Sequence, residues 1–137
     1  MSFSEFISPL VGRLTLAWFF ASEAMSYLTG FDATVSLMTL RHVPAAALVL
    51  ALGLLILGLG GLSLALGYQT RYGAMLLFAY LIVVAVTMHD YWTIQKLSDR
   101  LPEFEIFARD IAIAGGLLLL VGMGPGGFAL DNRKKRR

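Results

Sequence analysis

The chain alternates between long uncharged apolar runs and short polar breaks. The longest run, residues 44–66, carries no charge. Its length is that of a helix crossing a hydrocarbon layer of about 30 Å. Three further runs occupy residues 9–28, 72–89 and 110–123. The first contains Arg13 near one end and Glu23 near the other, with Pro9 at a plausible first helical position. The last meets the breaker Gly124-Pro125-Gly126-Gly127, beyond which Phe128, Ala129 and Leu130 can continue along the interface. None shows the apolar–polar alternation of a membrane barrel strand. The pattern predicts an all-α integral membrane protein, a bundle of four transmembrane helices. Residues 1–131 form its single domain and residues 132–137 a basic tail.

Composition sharpens this reading. Apolar residues make up 58% and charged residues 15%, against roughly half and a quarter in a soluble domain. Mean hydropathy is +0.74. With no cysteine, thiolate-held iron–sulfur clusters, disulfides and dithiol chemistry are excluded. The net charge of +2 suggests no nucleic-acid partner, because five of the 11 Lys and Arg residues form the terminal run Arg133, Lys134, Lys135, Arg136 and Arg137. The first run lacks a basic leader and outlasts a signal-peptide core, so it reads as a retained helix.

Basic residues set the expected orientation. Arg71, the terminal run and, close by, Arg13 share one side; Arg41, Lys96, Arg100 and Arg109 lie on the other. Both termini are therefore expected in the cytoplasm, in a multi-pass protein of the inner membrane. Long loops near residues 29–43 and 90–109 are expected on the opposite face.

Small residues recur every seven positions in the second run, at Ala46, Gly53, Gly60 and Gly67. Such a stripe admits a close backbone, either within the bundle or from a docking partner. Ala112 and Gly116 form a small pair in the last run. Charges inside a bilayer demand partners. Glu23 has Arg41, Arg109, His42 and His89 within reach of its side of the membrane, and Asp110 joins this group of candidates. His89 and Tyr91 could flank a quinone headgroup, although Tyr91 and Trp92 also serve as interface anchors. No cofactor is required. Haem fits poorly because His42 falls in a loop, and no metal site is expected because neither His has a ligand three or four residues away. Arg13, Arg71 and the terminal Arg133, Lys134, Lys135, Arg136 and Arg137 are expected to contact lipid headgroups.

The ordered segments Gly12-Arg13-Leu14, Trp18-Phe19-Phe20-Ala21-Ser22, Leu66-Gly67-Tyr68-Gln69-Thr70-Arg71, His89-Asp90, Phe107-Ala108-Arg109-Asp110 and the Gly124–Asp131 stretch resemble the DoxX family. Gly60-Gly61 and Gly115-Gly116 also fit. The resemblance implies a four-helix bundle related to the small subunit of thiosulfate:quinone oxidoreductase. Glu23, Ser26 and Leu57 depart from its usual polar pair. Three functions follow as expectations: a non-catalytic subunit or assembly factor of a membrane redox complex, a quinone-linked oxidoreductase subunit, or a small proton-coupled transporter using Glu23. Membrane lipids and partner subunits are the expected partners.

Overall fold

The computed structural model describes residues 2–134. Among them the chain is helical throughout, without strands. The helices are α1 (Phe3–Thr29), α2 (Phe31–Leu40), α3 (Ala46–Leu66), α4 (Thr70–Met88), α5 (Leu97–Met123) and the short α6 (Leu130–Lys134). A 3-10 turn, Tyr91–Thr93, joins α4 to α5. By length and apolarity three segments can cross a membrane: Ala46–Leu66, Thr70–Thr93 and Leu97–Met123.

The boundaries of α3 and α4 follow the apolar runs, but α1 and α5 extend well past theirs. At α1 the start is set by a capping box. The Ser2 Oγ accepts from the Glu5 N–H at 3.4 Å and the Glu5 carboxylate accepts from the Ser2 N–H at 2.9 Å, satisfying two orphan donors. Pro9 therefore lies inside α1 and does not open it. Helix α5 begins 13 residues before residue 110, at Leu97, because its polar N-terminal turns remain helical outside the apolar stretch. Residues 31–40, expected in a loop, form α2.

Packing runs in sequence, α1 on α3, α3 on α4 and α4 on α5, with α2 laid mainly on α3. Phe20, Leu57, Leu64, Leu77 and Leu117 form the centre of the core and are almost fully buried. A smaller cluster of Met38, Ala46 and Leu50 lies beneath α2. On the outside of α3, Leu48, Leu52, Leu55, Leu59, Leu62 and Leu66 are all exposed. Their three- and four-residue spacing makes one continuous apolar stripe, as a lipid-facing helix requires.

The small-residue stripe of α3 points inward. A Cβ on Gly60 would sit 2.5 Å from Leu77 Cγ, and one on Gly53 would sit 3.2 Å from the Tyr80 ring. Ala46 is buried under α2. Gly67 ends α3 at φ +67°, where a Cβ would strike both Arg13 and Ala129. This position needs glycine for its backbone and for its space.

Candidate functional site

The two ends of the bundle organise their polar groups differently. At the end holding the α3–α4 turn, Arg13 is 2% exposed. Its guanidinium donates to the carbonyls of Pro125 at 2.8 Å and Phe128 at 2.9 Å. The Gly-Pro-Gly-Gly segment thus becomes a strap folded across the end of α1. The expected headgroup contact of Arg13 gives way to this role, because a buried guanidinium satisfies carbonyls that an irregular segment leaves free.

Asp131 completes the same knot. Its carboxylate accepts from the Gln69 N–H at 2.6 Å and the Thr70 N–H at 2.9 Å, while its own N–H donates to the Gly67 carbonyl at 2.9 Å. Gln69 has φ +48°, a left-handed conformation unfavourable for a residue with a Cβ. The carboxylate holds it there and caps the start of α4. Burial pushes the Asp131 pKa up, but the two backbone N–H groups and the Arg13 charge outweigh it, leaving the pKa below the ordinary value.

Arg71 is exposed, its guanidinium over Gly124. Arg133 is exposed. Lys134 ends α6, while Lys135, Arg136 and Arg137 lie outside the described residues.

At the opposite end the pairs are between side chains. Arg109 donates to Asp110 from Nε at 3.1 Å and from a terminal nitrogen at 2.9 Å, and lies 3.9 Å from Glu23. Its guanidinium also covers the Phe19 ring at 5.2 Å, a cation–π contact. Asp110 is 2% exposed. Tyr27 and Tyr80 lie within electrostatic reach of Glu23 and Asp110. The structure therefore brings Glu23, Arg109 and Asp110 together. His89 instead bonds through Nδ1 to Glu103 at 2.9 Å. Tyr91 packs among Trp92, Phe104 and Phe107. Arg41 pairs with Asp90, and His42 is exposed in the α2–α3 turn at φ +60°. Among the described residues no three His, Cys, Asp or Glu side chains gather to hold a metal.

Beside this cluster lies a cavity of about 630 Å³ between α2, α3 and α4. Its walls include Met38, Leu50, Ile56 and Val84, with Tyr27, Tyr80, Thr34, Thr87 and His89 as the polar part of the lining. It is open on one side, where Leu37, Leu52 and Val83 are exposed, and a mostly apolar groove of this size with a few polar groups is a common form of binding site. The sequence does not reveal it because α2, which forms one wall, has no pattern that separates it from a loop. Tyr27 and Tyr80 left no signal among so many aromatic residues.

The SURF4 family profile matches residues 34–137. Inner membrane protein YphA of Escherichia coli (strain K12) is 30% identical over 125 residues, 90% of this chain and 88% of that protein. Inner membrane protein YqjF of the same organism is 29% identical over 127 residues, 93% of this chain and 92% of that protein. The Surfeit locus protein 4 homolog of Drosophila melanogaster is 36% identical over 74 residues, 52% of this chain but 27% of that protein. The ER-derived vesicles protein ERV29 of Saccharomyces cerevisiae is 30% identical over 77 residues, 56% of this chain and 24% of that protein. The aligned part thus spans about a quarter of these two eukaryotic relatives. No solved structure matches.

These matches overturn the DoxX resemblance. The segments that carried it are short clusters of Gly, Arg and aromatic residues, several of them inside α1, α3 and α5, and any bundle of this kind uses such residues for packing, turns and interface anchors. With it fall the redox-complex subunit, the quinone-linked subunit and the Glu23-dependent transporter.

Proposed function

The chain belongs to the SURF4 family, and from that membership we propose a non-enzymatic binding protein of the inner membrane that receives an apolar segment of a partner polypeptide. The observation that carries this reading is the cavity beneath α2, mostly apolar and polar at Tyr27, Tyr80, Thr34, Thr87 and His89. The two E. coli relatives are inner membrane proteins by name. The yeast relative is named for ER-derived vesicles and not for a reaction.

We infer a four-span arrangement with both termini cytoplasmic and one domain over residues 1–131. In support, α1 runs antiparallel to α3 across its length, with Phe20 beside Gly61 and Arg13 beside Gly67. The two charges within its apolar run, Arg13 and Glu23, have polar neighbours in the strap carbonyls and Arg109. Arg71 and Arg133 then lie on the positive, cytoplasmic side. The cavity and the Glu23–Arg109–Asp110 cluster face the opposite half. There the cluster lies behind the two tyrosines, with Glu23 within hydrogen-bonding reach of Tyr27.

A photoactivatable residue at Val83, which lines the cavity, tests the proposal in cells. The expected product is a protein adduct of discrete mass. Adducts to lipid alone, from protein that accumulates normally, would refute a polypeptide occupant.

A further inference from the structure

Between α1 and α5, near the Arg13 end, the bundle does not close. No packing comparable to that of the other neighbouring helices joins this pair. A cleft of about 980 Å³ remains, lined along α1 from Ser4 to Leu16 and along α5 from Gly116 to Gly124. A Cβ on Gly12 or on Gly116 would meet nothing within 4 Å, so these glycines face space left unfilled by their own chain. A membrane leaves no such space empty.

We propose that this cleft binds an anionic phospholipid, its acyl chains between α1 and α5 and its phosphate against Arg71.

Three observations select that occupant. The first is charge. The Arg71 guanidinium lies against Gly124 at the cleft's end, where a Cβ would approach it to 3.4 Å, and it has no hydrogen bond or ion pair among the described residues. Arg13, 2% exposed, also lines the cleft and keeps its Nε without a partner. The one carboxylate on the wall, Glu5, is turned to its own capping box. The second is polarity along the cleft: Ser4, Ser8 and Arg13 lie nearer the start of α1, Leu16, Leu119 and Leu120 line it too, and the Thr15 hydroxyl is spent on the Val11 carbonyl. A phospholipid has that same order of headgroup and chains. The third is access. The cleft is open along its flank, where Gly12, Leu119 and Met123 of its walls are exposed, so flexible acyl chains reach it from the surrounding membrane.

The test uses the full-length protein in nanodiscs of equal phosphatidylglycerol and phosphatidylcholine, with retained lipid read by native mass spectrometry. Wild type should retain phosphatidylglycerol in preference. Arg71→Gln should lower that preference about fivefold, the share of one basic residue near an anionic headgroup. Gly116→Leu should expel the lipid, while Gly122→Leu, on the same helix but outside the cleft and also in open space, should keep it. If Gly116→Leu does not accumulate, Gly12→Leu plugs the cleft from the other wall. Equal retention of both lipids, or unchanged retention in the plugged variant, would overturn the proposal. So would a wild-type dimer that the plug converts to monomer, since a second copy would then occupy the cleft.

Discussion

The two ends of this bundle solve the same problem, charged residues at a membrane protein's margins, in opposite ways. At the strap end, Arg13 and Asp131 bond to backbone groups of distant segments and lock α1, the α3–α4 turn and the strap into one unit. At the cavity end, Arg109, Glu23, Asp110, His89, Glu103, Arg41 and Asp90 pair mostly with one another. Side chain to backbone bonds fix a fold, because the carbonyls they satisfy have no alternative partner. Except for the buried Asp110, the side chains paired at the cavity end are partly exposed, and such pairs contribute little and rearrange cheaply. The lesson is a division of labour: one end holds the architecture, and the other can adapt around an occupant.

Removing Arg13 should break this contrast most severely. Arg13→Ala leaves two part-buried carbonyls and the strap unsupported, so a loss of about 2 kcal/mol is expected, read as a large fall in the melting temperature in detergent. A variant as stable as wild type would mean that the strap is incidental. Asp131→Ala should cost less, about 1 kcal/mol, the usual value of a lost helix cap. Because the folded-state pKa of Asp131 is depressed, its contribution is present above the unfolded value of about 3.9. That contribution is lost as pH falls through the folded value. Melting measured from pH 7 downward should therefore drop more for wild type than for Asp131→Ala below about pH 4. Parallel curves would remove Asp131 from the account. At the other end, Asp90→Asn should shift stability by less than about 1 kcal/mol, since Arg41 and Asp90 are both partly exposed. A larger shift would show that this end is as rigid as the strap end.

Much of this architecture is legible in the sequence, and the gaps have physical causes. Apolar runs report where lipid lies, so α3 and α4, which are apolar nearly end to end, are bounded to within about two residues. They do not report where helix ends, so the polar turns of α1 and α5 escaped. The Ser2–Glu5 capping signature was available for the first of these; nothing comparable caps α5. Helix α2 is ten residues long, too short for periodicity to distinguish it from a loop. Arg13 looked like a snorkelling residue because a charge near a helix end has two solutions, and only the folded strap shows which applies. That Glu23 needs a basic partner is legible, because a charge in a membrane demands one, but the choice of Arg109 over Arg41, His42 and His89 is not. His89 and Tyr91 were placed at the right end but with the wrong company, since Glu103 and Phe104 lie on a helical extension that was itself missed.

If the cavity beneath α2 holds a partner's apolar segment, filling it must displace that segment. Ala79 is exposed and lines the cavity, so Ala79→Phe occupies the space without disturbing the buried core. This variant should keep the melting temperature of wild type and lose the protein adduct formed from position 83. An adduct of undiminished yield, from a stable Ala79→Phe protein, would contradict that occupancy.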